Sequence, residues 1–267
     1  MHEMITSSSN PIIKEIKSLY KKRDRWIKKS FFIEGVRIVD ECVKSNANIA
    51  YIVYSDMLFD TNGGEELFNC LSQKNWKLIY VSDKLFKEIS DTEKPQGILA
   101  VVNFNLQGID NILKEENFLV LLDRVQDPGN MGTIIRTADA FGSNGVIVTE
   151  GCVDVFNPKT IRSTMGSIFH VPLLYYKSSS EAIKDLKSRG IKVITTSLNA
   201  EKYCFDVDYK KSFALIIGNE ASGVSEEVLA DSDLLIKIPM LGKAESLNAA
   251  VASSVIMYEV LRQRLKF

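Results

Sequence analysis

The sequence predicts an α/β protein in two unequal parts, a small amino-terminal α/β domain and a larger carboxyl-terminal domain built on a parallel sheet. Strand-like and helix-like runs alternate along the chain, which is the pattern of helices packed on a sheet. In the carboxyl-terminal half the strand-like runs are continuously apolar, as in parallel strands covered on both faces. We place the domains at residues 1–105 and 118–267, and we predict that 106–117, a polar stretch with Gly108, is a linker or a connecting helix.

The individual elements follow from local signals. Asn10-Pro11 is typical of an N-cap followed by proline at the first helical position, and the helix is predicted to continue to Lys29. Further helices are predicted at 36–43, 65–71 and 84–89, and strands at 49–54, 77–81 and 98–104. In the larger domain the predicted strands are 118–122, 145–148, 171–175, 191–195, 213–217 and 234–238, and the last helix is predicted at about 246–265.

The composition limits the possible functions. No apolar run approaches the ~20 residues of a membrane span, and the first residues lack the pattern of a signal peptide. We therefore expect a cytoplasmic protein with no membrane partner. Four scattered cysteines and two histidines predict neither a disulfide framework nor a metal site. There is no Walker A loop and no GxGxxG after a strand, so transfer of a group between two bound molecules fits better than these standard chemistries.

The charge is unevenly distributed although the net charge is only −1. Nine basic residues lie between Lys14 and Arg37, against three acidic residues. Such a run either binds nucleic-acid phosphates or forms a solvated helix face. The candidates for phosphate contact are Lys14, Lys21, Lys22, Arg23, Arg25 and Arg37.

Three separated stretches place glycines and small polar residues where an apolar strand gives way to a helix-like run. They are residues 127–138 (DPGNMGTIIRTA), 217–223 (IGNEASG), and 238–240 (IPM) followed by 246–250 (SLNAA). Turns of this kind expose backbone N–H and C=O groups to a ligand.

The first stretch carries an asparagine and an arginine. Asn130 is predicted to cap the helix that carries Arg136, which places Arg136 near the carboxyl edge of the sheet, where open α/β folds bind ligands. There an arginine can clamp a phosphate through two N–H donors. The alternative is a surface pair between Arg136 and Asp139.

The other two stretches add polar groups. Glu220 follows the end of a strand and either caps the next turn or anchors a polar ligand. Ser246 is the predicted N-cap of the last helix, and Asn248 can orient a hydroxyl or a backbone group.

In this order and with these residues, the three stretches resemble the motifs of the SpoU/TrmH family of RNA ribose 2′-O-methyltransferases, over residues 118–267. The resemblance implies a SPOUT-type domain with a trefoil knot, S-adenosylmethionine bound largely through main-chain groups, and a homodimer whose active site lies near the subunit interface. It implies a catalytic set of Asn130, Arg136, Glu220, Ser246 and Asn248. The implied cofactor residues are Thr196, Ser197, Gly218, Glu220, Ile238, Met240, Leu241, Ser246 and Leu247.

Two residues, Arg136 and Ala250, bear on the mechanism that the resemblance implies. The family mechanism makes the arginine a general base for the ribose 2′-hydroxyl. Because the pKa of a guanidinium lies above about 12, we expect Arg136 to stabilise the developing alkoxide and the adjacent phosphate electrostatically. The family often has serine where this chain has Ala250, so a hydrogen bond from that hydroxyl is missing here.

The amino-terminal part resembles the L30e-like substrate-binding domain of the ribosomal RNA branch of this family. Residues 31–37 (FFIEGVR) and 97–100 (GILA) carry this resemblance. It implies that 23S ribosomal RNA is the substrate, contacted through the basic run and Arg136. The alternatives are the same reaction on transfer RNA, or a non-catalytic RNA-binding protein on the same fold.

Overall fold

The computed structural model describes residues 4–265, and the chain divides into two compact units. The first unit contains the residues up to 105 together with Phe156–Arg162, and the second contains 106–155 and the residues from 163 onward. None of the helices in the described range is long and apolar enough to cross a membrane.

The first unit is a four-stranded sheet with helices. Its sheet order is β1-β4-β2-β3, in which β4 lies antiparallel to both of its neighbours and β2 pairs with β3 in parallel. Its helices are α1 (Pro11–Ser18), α2 (Lys22–Lys28), α3 (Val36–Lys44), α4 (Gly64–Ser72) and α5 (Asp83–Ile89). Its strands are β1 (Ser30–Glu34), β2 (Ile49–Tyr54), β3 (Leu78–Tyr80) and β4 (Ile98–Asn103).

The prediction of one continuous helix to Lys29 was wrong, because α1 ends at Ser18 and α2 begins at Lys22. Arg25 is buried, and its guanidinium donates to the carbonyl oxygens of Leu19 and Tyr20 at 2.6 and 2.9 Å. These bonds satisfy carbonyl groups that the end of a helix leaves without a partner. Arg25 therefore stabilises the turn and is not available to RNA.

Two predicted domain limits also differ from the structure. In the stretch 106–117, Ile109 and Ile112 are buried in the core of the second unit, so this stretch is a packed part of that unit. Phe156 packs within the first unit, with ring centroids 3.9 Å from Phe104 and 4.9 Å from Phe31. Because these rings stack, Phe156–Arg162 belong to the first unit and not to the predicted larger domain.

The second unit confirms the predicted parallel sheet. Its order is β7-β6-β5-β10-β8-β11-β9, and all neighbouring strands are parallel. The strands are β5 (Phe118–Leu122), β6 (Gly145–Thr149), β7 (Leu173–Tyr176), β8 (Lys192–Thr196), β9 (Lys202–Tyr203), β10 (Phe213–Ile217) and β11 (Leu234–Lys237). The helices are α6 (Pro128–Ala140), α7 (Pro158–Thr164, which starts in the first unit), α8 (Ser179–Ser188), α9 (Glu226–Ala230) and α10 (Ala249–Arg264).

The order of the strands positions the site. Because β10 lies between β5 and β8, with β11 beyond, the carboxyl ends of four central strands meet at one edge of the sheet. The three stretches with the motif residues lie at the ends of β5, β10 and β11 at this edge. The trefoil knot implied by the family resemblance stays a prediction.

Helix α10 is anchored at its carboxyl end by Arg264. Its Nε donates to the carbonyl oxygen of Tyr209 at 2.8 Å, and its Nη2 donates to those of Asn117 and Lys211, each at 3.1 Å. We expect Arg264→Ala to lower the free energy of unfolding by about 2 kcal/mol, because three carbonyl groups lose a charged donor. Urea denaturation checks this value. The matched control is Arg262→Ala, which removes an exposed arginine paired with Glu259 and should leave stability nearly unchanged.

Candidate active site

Three polar side chains from the three stretches form one hydrogen-bonded chain, which we call the Asn–Glu–Asn chain. Asn130 Nδ2 donates to Glu220 Oε1 at 2.9 Å, and Asn248 Nδ2 donates to Asn130 Oδ1 at 2.9 Å. At one end Glu220 also accepts from the backbone N–H groups of Gln126 and Asp127, each at 3.1 Å. At the other end Asn248 Oδ1 accepts from the first turn of α10.

The chemistry of these groups determines how the two amides are oriented. The Glu220 carboxylate can only accept, so Asn130 must present its NH₂ group to it. The Asn130 oxygen then faces Asn248, which must in turn present its own NH₂ group. The remaining Asn248 oxygen faces backbone N–H donors, so every bond has a donor and an acceptor. The arrangement thus forms without a ligand.

Glu220 is held as a carboxylate. Partial burial raises its pKa, but the hydrogen bonds from Asn130 and from the backbone outweigh burial, and the net pKa is lowered from 4.5. A lowered pKa means that this group stabilises the folded state above about pH 4.5 and that the contribution is lost as the pH falls.

We therefore expect the difference in unfolding free energy between the wild type and Glu220→Gln to be constant above about pH 5 and to shrink below about pH 4.5. Glutamine also brings an N–H₂ group to a place where three donors already point, so the wild type should be more stable at neutral pH. Urea denaturation at a series of pH values measures both effects. Glu245→Gln, in an exposed part of the same unit, is the control. A wild-type advantage that grows on acidification would contradict the assignment.

The predicted cap of α1, Asn10, is confirmed, but the caps predicted for α6 and α10 were wrong. Helix α6 is capped by Asp127, whose Oδ1 accepts from the backbone N–H of Asn130 at 2.8 Å. Helix α10 is capped by Asn248, because its side chain accepts from the N–H groups of Ala250 and Val251. The side chains of Asn130 and Ser246 therefore do not cap these helices. Asn130 joins the Asn–Glu–Asn chain, whereas Ser246 is exposed and makes no hydrogen bond within residues 4–265.

Arg136 is exposed on α6, and its guanidinium has no hydrogen bond or ion pair in the described part of the chain. The predicted alternative, a pair with Asp139, does not form, because Asp139 Oδ2 lies 3.1 Å from His170 Nδ1. Arg136 is six residues beyond Asn130, which is about 9 Å along a helix axis. It is therefore outside the Asn–Glu–Asn chain and available to an external ligand.

A cavity of about 400 Å³ opens beside this chain at the ends of β8, β10 and β11. That volume lies in the ~300–1,000 Å³ range of small-molecule sites. Eight of the nine predicted cofactor residues line it: Thr196, Ser197, Gly218, Glu220, Ile238, Met240, Ser246 and Leu247.

The ninth predicted cofactor residue, Leu241, does not line the cavity. Its side chain is fully exposed. Sequence reasoning also missed several lining residues. Asn219 lies between two predicted residues, and Ala249, Ala252 and Ile256 are spaced three and four apart on α10, so helical periodicity could have indicated them. Leu198 and Val224 carry no such signal.

The predicted RNA contacts in the first unit fall into two groups. Lys14, Lys21, Lys22, Arg23 and Arg37 are exposed, whereas Arg25 is buried. Within residues 4–265 no cluster of three histidine, cysteine or acidic side chains could hold a metal ion.

The cavity suits a small cofactor with a polar and cationic part. A methyl group, or any larger group, at Gly218 would meet backbone atoms of Gly223 and Val224 at 2.5 Å, which shows how closely the wall is packed. The anionic Glu220 lines the same space and favours a positively charged ligand. A parallel sheet with such a cavity at its carboxyl edge, beside a preorganised polar chain, defines a group-transfer enzyme with a bound cosubstrate.

Comparison with known proteins identifies the family. The chain belongs to the SpoU rRNA methylase family, which matches residues 117–258, and residues 10–100 match the MRM3-like substrate binding domain. The 23S rRNA (guanosine(2553)-2′-O)-methyltransferase RlmP of Bacillus subtilis (strain 168) is 36% identical over 97% of this chain and 99% of its own length. The 23S rRNA (uridine(2479)-2′-O)-methyltransferase of Streptomyces viridochromogenes is 34% identical over 88% of this chain and 83% of its own. The AdoMet-bound rRNA methyltransferase from Sinorhizobium meliloti has a TM-score of 0.87 and 32% identity, with 99% of both chains covered.

Proposed function

We propose that this protein transfers a methyl group from S-adenosylmethionine to a ribose 2′-hydroxyl in 23S ribosomal RNA. The observation that carries the proposal is the Asn–Glu–Asn chain at the rim of a cavity of cofactor size. Full-length similarity to two 23S ribosomal RNA 2′-O-methyltransferases and to an AdoMet-bound structure supports the substrate and the cofactor.

When bound, S-adenosylmethionine supplies an activated methyl group on a sulfonium. The residues of this chain position the two partners. Glu220 places a negative charge at the cavity wall, where it favours the cationic cofactor. Arg136, which is unpaired within the described residues, binds the phosphate next to the target ribose and stabilises the alkoxide that develops as the hydroxyl attacks. The proton of the 2′-hydroxyl passes to solvent and not to Arg136, because a guanidinium stays protonated and cannot accept a further proton.

The first unit supplies RNA affinity. Its exposed basic residues can neutralise phosphates without reading sequence, and the similarity to a substrate-binding domain over residues 10–100 supports this role. The two relatives modify different nucleosides, a guanosine and a uridine, so the target nucleotide must be mapped directly.

The test is methyl transfer from labelled S-adenosylmethionine to unmodified 23S ribosomal RNA, to unmodified transfer RNA and to a precursor of the large ribosomal subunit. We expect label on ribosomal RNA, at one position that resists alkaline cleavage. Label on transfer RNA alone would replace the proposed substrate. Cofactor binding without transfer to any of the three would favour a non-catalytic RNA-binding role. Failure to bind the cofactor would overturn the proposal.

We also propose that the active form is a homodimer that pairs through α10. This helix exposes Val251, Val255 and Tyr258, which are 49%, 41% and 58% accessible and are spaced four and three residues apart on one face. The face begins one turn from Asn248, so a second copy bound there would lie close to the site.

A charge on this face should separate the subunits. We expect Val255→Asp to convert a dimer into monomers, because a carboxylate would be buried against an apolar surface. Sedimentation velocity measures the change. Lys184→Asp, at an exposed position of α8, should remain dimeric. A monomeric wild type, or a variant that still dimerises, would show that α10 is not the interface.

A further inference from the structure

Two residues behind the cavity wall, Asp123 and Arg124, have no role in the chemistry described so far. Asp123 follows β5, is 3% exposed and does not line the cavity. Its carboxylate accepts from Ser179 Oγ at 2.6 Å on one side and from the backbone N–H of Ser225 at 3.2 Å on the other. A buried carboxylate that receives donors from two separate segments holds those segments together.

Arg124 adds three further contacts. Its φ of +57° is in the left-handed region, which costs energy for any residue other than glycine. In this conformation its carbonyl oxygen accepts from Asn219 Nδ2 at 2.9 Å. Its guanidinium Nη2 lies 3.3 Å from Asp123 Oδ2 and 3.4 Å from the carbonyl oxygen of Gly223.

These contacts converge on one loop, residues 219–225, which we call the cavity loop. Asp123 and Arg124 bind it near its start at Asn219, in its middle at Gly223 and at its end at Ser225. Residues 219–224 all line the cavity. Within the loop, Asn219 Oδ1 accepts from the N–H groups of Ala221 and Ser222, and Asn219 exchanges two backbone bonds with Gly223. The side of the loop that faces away from the cavity is thus held by the two residues after β5.

We propose that Asp123 and Arg124 are positioning residues that set the affinity for S-adenosylmethionine by holding the cavity loop in its binding shape. The inference rests on the proposed cofactor. Glu220 has a separate attachment, the N–H groups of Gln126 and Asp127. When Asp123 or Arg124 no longer holds the cavity loop, Glu220 keeps its own attachment. The loss therefore weakens cofactor binding more than it weakens turnover at saturating cofactor.

The chain offers two variants and a matched control. Arg124→Gly removes the guanidinium but keeps the carbonyl group that Asn219 needs, and it relieves the left-handed conformation. Asp123→Asn keeps the shape but loses the charge that pairs with Arg124. Ser188→Ala is the control, because it removes a serine hydroxyl from the same helix as Ser179, but one that donates to the carbonyl oxygen of Asp185 and not to Asp123.

The experiment measures the Kd of S-adenosylmethionine by calorimetry, kcat at saturating cofactor, and hydrogen exchange of the peptide 218–225 in the ligand-free protein. We expect Arg124→Gly and Asp123→Asn to raise Kd about tenfold and to lower kcat less than about threefold, with faster exchange in the cavity loop. Ser188→Ala should leave Kd within about twofold, and should leave exchange in the loop unchanged.

Unchanged Kd and unchanged loop exchange in both variants would overturn the inference, as would an equal rise in Kd with Ser188→Ala. A wild type that does not bind S-adenosylmethionine would refute the proposed function, and with it the cofactor part of this inference. Hydrogen exchange still decides in that case whether the two residues hold the loop, since that measurement needs no ligand.

Discussion

Replacing Arg136 by alanine should lower the rate of methyl transfer at least about a hundredfold, while the Kd of S-adenosylmethionine stays within about twofold of the wild type. The arginine is exposed, has no partner within residues 4–265, and does not line the cavity. Its loss therefore removes no support from the cofactor site. Removal of one donor that stabilises developing charge costs about 10²–10³ in kcat, and the lost phosphate contact adds to that.

Single-turnover kinetics with saturating cofactor and RNA measures the chemical step. Thr133→Ala is the matched control, because Thr133 is another exposed residue on α6 and its hydroxyl has no hydrogen bond in the described chain. Arg136→Lys separates two roles of the cation. A lysine keeps the charge but not the planar pair of donors, so we expect it to lose at least about tenfold. Near-normal turnover with lysine would show that paired donors are unimportant, and retention of more than a tenth of the activity with alanine would contradict a catalytic role.

The central strands of the parallel sheet were predictable from the sequence because burial on both faces leaves a direct signal, whereas the strand Ser30–Glu34 was not predicted although four of its five residues are buried. Phe118–Leu122 and Phe213–Ile217 have the predicted limits, since every residue in these central strands is buried and each run ends at a polar or glycine residue. Edge strands carry less of that signal. The two-residue strand Lys202–Tyr203 is exposed, and no pattern predicted it.

The caps of α6 and α10 were not predictable because short polar side chains compete for the same N–H groups. Asp127 and Asn130 are three residues apart and Ser246 and Asn248 are two apart, and either member of such a pair can cap a helix. The side chain that loses this competition is free for other contacts. For Asn130 that contact is Glu220, 90 residues away along the chain.

The burial of Arg25 is a second feature that the sequence alone could not predict. Within the basic run it has the same residue type as its exposed neighbours Arg23 and Arg37. What distinguishes it is a pair of carbonyl groups at the end of α1, and the position of that end depends on tertiary packing of Leu19. Residue type and spacing, read through the family resemblance, therefore pointed to the residues of the Asn–Glu–Asn chain, but they could not separate a buried structural arginine from an exposed one.

Gly218→Ala should be the most damaging single methyl addition at the cofactor site. A Cβ atom at this position would lie 2.5 Å from the backbone carbon of Gly223 and from the backbone nitrogen of Val224. Backbone atoms cannot rotate away as a flexible side chain can, so the cavity loop must move as a whole. Because residues 219–224 line the cavity, that movement changes its shape directly.

We expect Gly218→Ala to raise the Kd of S-adenosylmethionine about a hundredfold, in line with the cost of overpacking. Calorimetry measures Kd, and far-ultraviolet circular dichroism establishes that the variant is folded at the temperature used. Gly242→Ala is the control, because a Cβ atom there meets nothing within 4 Å although the residue lies in the loop that leads from the cavity to α10. The Kd of S-adenosylmethionine for Gly242→Ala should match that of the wild type. Equal affinity for both variants would mean that the wall around Gly218 yields easily, and the close packing would then have no part in cofactor recognition.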